Sequence, residues 1–239
     1  MTKRVWIIVG ATSAIAEQFA HRAAKNQCSL RLVGRDSEQL NIIAQDIRLR
    51  YQVPCEVLKL DMAQSSDELL LAFASIDNEA DLFLAHSDFT ENEQLNNHTI
   101  HQLITTNVLA STLLINAYLK RPQQHHHLLY LSSVAACRGR SKNSLYGGTK
   151  AAVELYLHGM QQSASKNSHI TIARLGFIDT KQTYGLPGIF YAASPKDCAE
   201  ACWDAVHKNR RMFYYPGFWR IIMAIISRVP FFIYKKMNI

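Results

Sequence analysis

No run of 18 uncharged apolar residues occurs in the 239-residue sequence, so no ordinary transmembrane helix is expected. Cysteine is sparse. Cys28, Cys55, Cys137, Cys198 and Cys202 are scattered and form no CxxC pair, which argues against both a disulfide framework and a structural zinc site. A reducing, cytoplasmic setting is therefore expected. There is no internal repeat, no low-complexity tract and no linker marking a second core. Acid is missing from one region: residues 205–239 contain none, yet they hold seven of the 26 Lys and Arg, from Lys208 to Lys236. The first 204 residues balance 19 cations against 19 acids, so the whole net charge of +7 belongs to the C-terminal segment. A neutral body without zinc-finger or RNP patterns excludes a broad nucleic-acid surface, and no nucleic-acid partner is expected.

Apolar residues make up 48% and charged residues 19%, enough for one full core. The N-terminus imitates a secretory signal, with Lys3-Arg4, an apolar run and an Ala14-Ile15-Ala16 triplet. The run is short and Gly10 interrupts it; the other reading is a buried strand at 5–9, a turn at Gly10 and a helix over 13–25. From there β-rich runs at 30–33, 57–60, 82–85, 128–132 and 170–175 alternate with helical patterns at 36–50, 67–76, 100–119 and 144–165. Such alternation predicts an α/β fold: a doubly wound parallel sheet in a Rossmann-type three-layer single domain. The catalytic domain is expected over 1–210 and a basic, aromatic-rich extension over 211–239.

Two motifs fall on that frame. Gly10-Ala11-Thr12-Ser13-Ala14-Ile15-Ala16 joins the first strand to a helix N-terminus, where a glycine turn and free N–H groups suit a pyrophosphate. Tyr146-x-x-x-Lys150 follows Ser133 by thirteen residues. Four residues apart on a helix, Tyr146 and Lys150 share a face, and the cation is expected to lower the phenol pKa towards working pH. Ser133 ends a strand at the carboxyl edge, where open α/β sheets bind ligands.

These residues resemble the short-chain dehydrogenase/reductase family, over about 4–210. The resemblance implies a catalytic tetrad of Ser133, Tyr146, Lys150 and Asn107, the last holding a water in a proton relay. It implies cofactor contacts from Gly10, Thr12, Ser13 and Ile15, from Asp61 and Met62 after the third strand, from Tyr146 and Lys150, and from Ile178 and Thr180 after the sixth. Three departures stand out: alanines replace two turn glycines, Ala85-His86-Ser87-Asp88 replaces N-N-A-G, and Leu175-Gly176 replaces Pro-Gly. Gly34-Arg35 ends the second strand with a cation and no acid, which favours NADP(H) unless Arg35 is merely a solvated surface residue.

The expected activity is NADPH-dependent reduction of a ketone to a secondary alcohol, or the reverse. A nucleotide-binding regulator or scaffold without turnover is the alternative. The region 181–193, with Tyr184, Leu186, Phe190 and Tyr191, occupies the family's substrate loop, and the tail resembles reductases of polyprenyl-phosphate-linked keto-sugars, so a small or lipid-linked carbonyl substrate is expected. A homo-oligomer is expected as well. His125-His126-His127 reads as a loop rather than a metal site, Cys198 and Cys202 as small buried residues, and Asp77, Glu79 and Asp81 as a solvated acidic turn. No metal is expected. In the tail, Phe218, Ile221, Ile222, Ile225 and Val229 recur at helical spacing. That stripe either meets a membrane surface, or packs on the core, or roofs a substrate pocket.

Overall fold

The computed structural model describes residues 4–63, 79–180, 183 and 191–237. Strand β1 (Val5–Val9) lies in the middle of the sheet, paired in parallel with β2 (Ser29–Gly34) on one side and β4 (Ala80–Leu84) on the other. That placement explains its unbroken apolar run, because a central parallel strand is covered on both faces. With β3 (Cys55–Lys59), β5 (His126–Ser133), β6 (Ser168–Leu175) and β7 (Met212–Tyr215), the order is β3-β2-β1-β4-β5-β6-β7, every pairing parallel. The strand order reverses between β1 and β4, which opens a crevice at their carboxyl ends.

Side-chain alternation divides the core in two. Trp6 and Ile8 of β1 join Phe19, Leu40 and Trp203 on one face, under α1 (Ala14–Lys25), α2 (Ser37–Tyr51) and α6 (Pro195–His207). Ile7 and Val9 join Leu114, Tyr118, Val153 and Leu157 on the other, under α4 (Ser111–Leu119) and α5 (Ser144–Ser163). This is the expected doubly wound, three-layer Rossmann-type arrangement. Helix α3 (Asn97–Ile104) runs into α4 through a π-helical segment (Thr105–Ala110).

The helix expected over 67–76 lies outside the described residues, as do Asp77, Tyr184, Leu186 and Phe190. The sheet continues past residue 210, since β7 supplies its edge strand. Beyond it come α7 (Trp219–Ile226) and α8 (Phe231–Tyr234). The packed face of α7 is Trp219 and Met223, flanked by half-buried Ile222 and Ile226 and set against Val134, Cys137, Phe177 and Tyr214. The indole of Trp219 lies over Gly176, where any Cβ would overlap it.

Two local readings are corrected. Asp81 is no solvated turn residue; it is buried in β4, takes two hydrogen bonds from Arg4 and is 3.2 Å from His127 Nδ1. The histidine run is not a loop throughout either, because β5 begins at His126, which is buried and packs edge-on against Tyr118. Cys198 and Cys202 are, as expected, fully buried in α6.

Candidate active site

Gly10 leaves β1 with φ +80°, and a Cβ there would sit 2.6 Å from the backbone nitrogen of His86, so β1 and β4 exit the sheet almost touching. Only glycine permits both the conformation and the approach. Ser13 caps α1, its Oγ accepting from the Ala16 N–H at 3.3 Å. The remaining first-turn N–H groups, those of Ala14 and Ile15 among them, have no acceptor within the helix and face the crevice end with the positive pole of the dipole. Ala16, standing where a glycine is usual, is fully buried against the core, so its methyl is accommodated. Thr12 is exposed and Ile15 buried.

Arg35 follows β2 at the same edge, its guanidinium 3.5 Å from the Asp88 carboxylate. It is thus a surface residue with a partner, and Asp88 also accepts from Gln102 at 2.9 Å. Asp61 follows β3 and accepts from the Ala63 N–H at 2.9 Å, with Met62 buried beside it. Ile178 is buried and bridges to Ala193; the Thr180 N–H donates to Thr183 Oγ1 at 3.1 Å.

Ser133, Tyr146 and Lys150 do come together. Ser133 ends β5, accepting from the Ala135 N–H at 3.1 Å and hydrogen-bonding Tyr146. Ser87, after β4, hydrogen-bonds the same phenol. Sequence reasoning read Ser87 only as a departure from the family pattern. Tyr146 is only partly buried, its ring edge-on to Phe89 at 5.0 Å. Lys150 is buried, its Nζ donating to the Leu131 carbonyl at 2.9 Å and lying 5.9 Å from the Tyr146 ring centre.

The electrostatics correct the expected pKa logic. Burial pushes Tyr146 above its ordinary value, while the Ser87 and Ser133 hydrogen bonds pull it part of the way back. Burial also pulls Lys150 down to about 7, with Glu154 opposing. Glu154 is itself held by Arg174, at 2.5 Å, and so offers Lys150 little. The pair therefore titrates in the opposite sense to a cation activating a phenolate, and Tyr146 keeps its proton at neutral pH.

Asn107 lies in the π-helical segment, a distortion frequent at functional sites. Its Oδ1 accepts from the Asp88 N–H at 2.8 Å; its Nδ2 donates to the Asp88 carbonyl at 2.9 Å and to Thr149 at 3.1 Å. Both amide hydrogens are used, so the side chain clasps the β4 loop to α5. Buried His86, in place of an asparagine, bridges the Thr106 carbonyl and Ser111 through Nε2; burial and then Lys150 hold it neutral, near 3.

A parallel sheet with a glycine turn at its switch point, and a Ser–Tyr–Lys group on the adjoining edge, defines a dinucleotide-dependent class of oxidoreductase fold. The chain belongs to the short chain dehydrogenase family, whose model matches residues 4–186. It is 26% identical over 192 residues to an uncharacterized oxidoreductase of Staphylococcus epidermidis, covering 77% of this chain and 81% of that one. An 11-beta-hydroxysteroid dehydrogenase-like protein of Arabidopsis thaliana is 26% identical over 251 residues, covering 96% and 79%. Among solved structures, a short-chain dehydrogenase from Sphingobium yanoikuyae in complex with NADPH superimposes with a TM-score of 0.81 at 19% identity, covering 95% of this chain and 96% of that one.

Proposed function

We propose that this protein reduces a ketone to a secondary alcohol, or runs the reverse reaction, with NADP(H) as cofactor. The observation that carries the reading is the Tyr146 hydroxyl, hydrogen-bonded by two serines beside a buried lysine at the carboxyl edge. The residues present fit a dinucleotide: a Cβ-free turn at Gly10, the open N-terminus of α1, and a cation at Arg35. Thr12, Ser13, Ile15, Asp61, Met62, Ile178 and Thr180 would complete its binding. When bound, the cofactor supplies or accepts the hydride.

The chain's own residues manage the proton. Tyr146, kept protonated by burial, gives its proton to the alkoxide oxygen as it develops. Ser133 donates to that oxygen and orients the carbonyl. Lys150 stabilises the phenolate that Tyr146 becomes, and Asn107 holds the loop and helix in register around a relay water. A scaffold without turnover would have no physical use for a buried lysine pulled to about 7. Substrate-dependent oxidation of NADPH, screened over carbonyl compounds, tests the reading; cofactor binding with no oxidation of any carbonyl would favour the scaffold.

For the substrate, an apolar or lipid-linked body is supported by Val134, Phe177 and Trp219, which form an apolar cluster next to Ser133. The screen should therefore include long-chain and lipid-linked ketones.

Ser87 acts as a positioning residue. Ser87→Ala should lower turnover by roughly 2- to 12-fold, the worth of one hydrogen bond. It should also move the phenolate limb of alcohol oxidation to higher pH, because the lost bond was lowering the Tyr146 pKa. An unshifted limb would leave Ser87 without this role.

Arg35 should set cofactor preference. NADPH should bind more tightly than NADH, and Arg35→Ala should narrow the gap by about ten- to a hundredfold, as for a charge-assisted hydrogen bond. Asp88→Asn, which frees Arg35 of its competing carboxylate, should widen it. Equal dissociation constants in the unmutated protein would remove the claim.

A further inference from the structure

We propose that the C-terminal segment is a docking face for an anionic lipid surface, a reading independent of the reductase chemistry. Helix α7 is apolar all round except at Arg220, as expected of a helix buried on every side, yet the body covers only one face of it. Trp219 and Met223 are inside, while Ile221 and Ile225 are 67% and 62% exposed. The short helix α8 repeats the pattern. Tyr234 is turned inward, its hydroxyl donating to the Gly139 carbonyl at 2.6 Å and its ring under the Arg138 guanidinium at 3.8 Å. Arg138 also binds the carbonyls of Ile226 and Val229, which pins the connection between the helices. With the segment held this way, Phe231 and Phe232 are each 72% exposed.

The charge around this apolar face selects its occupant. Arg220, Arg228, Lys235 and Lys236 are all exposed, and no acid occurs anywhere in 205–239. A second copy of the chain meeting the same patch about a two-fold axis would set these cations against each other. An anionic lipid headgroup layer takes both features at once, apolar side chains entering at the acyl boundary and cations staying among the phosphates. Among the described residues no helix is long and apolar enough to cross a membrane, so the contact is peripheral. The face adjoins the catalytic edge, since α7 packs on Val134, the residue after Ser133.

The test is sedimentation of the full chain with phosphatidylcholine vesicles, with and without phosphatidylglycerol, at low and high salt. Binding to the anionic vesicles should exceed binding to neutral ones by at least about tenfold, each cation near the surface adding on the order of a fivefold factor, and salt should release it. The combined variant Ile221→Glu, Phe231→Ser, Phe232→Ser should stay in the supernatant while keeping its melting temperature and its activity on a water-soluble ketone. Lys235→Glu with Lys236→Glu should lose the salt-sensitive part alone. The proposal is overturned if the unmutated chain stays in the supernatant at low salt, or binds both vesicle types equally. It is also overturned if analytical ultracentrifugation shows an oligomer that the triple variant dissociates, which would give the face to a second copy. Activity on the soluble ketone is read separately, so failure of the vesicle assay leaves the reductase reading standing.

Discussion

Tyr146→Phe should abolish most ketone reduction, by about 10²–10⁴-fold, and leave NADPH binding nearly intact. The change deletes one oxygen. The ring keeps its edge-on contact with Phe89, so packing at the site survives. What goes is the proton for the developing alkoxide, with Ser87 and Ser133 left holding hydroxyls that can turn to water or to one another. Burial raises the phenol above its ordinary value and draws Lys150 down to about 7. The unmutated enzyme should therefore reduce fastest in mild acid, slow as Lys150 loses its proton near neutral pH, and fade further in alkali, where Tyr146 deprotonates. Alcohol oxidation needs the phenolate as base and should rise over the same range. Single-turnover reduction with saturating NADPH measures the chemical step without product release. A phenylalanine variant with near-full turnover would mean that the proton comes from elsewhere.

Strands β1 to β6 were legible because each is a compact run of apolar and β-branched residues between polar breaks, and alternation with helices implied the parallel sheet. Strand β7 was not. It has four half-buried residues next to a basic tail, and composition there pointed to an extension rather than to a sheet edge. Asp81 was misread for a different reason. Its partner Arg4 lies 77 positions upstream, and no local pattern shows that a carboxylate among acids is paired across the sheet. The π-helical segment is likewise invisible in an apolar pattern that fits an ordinary helix over the same residues.

Within the candidate site, order and spacing were enough to bring Ser133, Tyr146 and Lys150 to one place. They could not give the sign of the pKa shifts. Helical spacing says that Tyr146 and Lys150 are neighbours; whether the cation lowers the phenol or burial raises it depends on how many atoms surround both. Ser87 was hidden by the comparison that revealed the rest, because a mismatch to N-N-A-G reads as loss. In three dimensions the mismatch adds a hydroxyl at the proton donor. For the tail, a helical stripe of Phe218, Ile221, Ile222, Ile225 and Val229 was visible, but not that Trp219 and Met223 are the buried pair, with Ile222 of the stripe packed beside them.

Lys150→Met should move stability and activity in opposite directions. Lys150 is drawn from 10.5 to about 7 by burial, so holding it charged costs the native state on the order of 4–5 kcal/mol. Glu154 opposes part of the shift but is shared with Arg174, and with Tyr130 and Tyr146 protonated and His86 neutral no other neighbour offsets that cost. Methionine fills a similar volume without the charge but leaves the Leu131 carbonyl without its donor, a loss of about 1–3 kcal/mol. A net gain of about 2 kcal/mol is expected at about pH 6. The sign of the pH dependence follows from the depressed pKa. Below about 7 both native and unfolded lysine are protonated and the penalty is full; between about 7 and 10 the unfolded chain binds the extra proton and the penalty fades. The variant's advantage should therefore be greatest in mild acid and vanish towards about pH 10. Reduction should meanwhile fall by about 10² or more, as the phenolate formed at Tyr146 loses the cation that stabilises it. Urea unfolding of both proteins at matched pH values isolates the lysine, because every other titration cancels in the difference. A gap that does not change with pH, or a variant less stable in mild acid, would show that Lys150 is not a buried charge held at the expense of the fold.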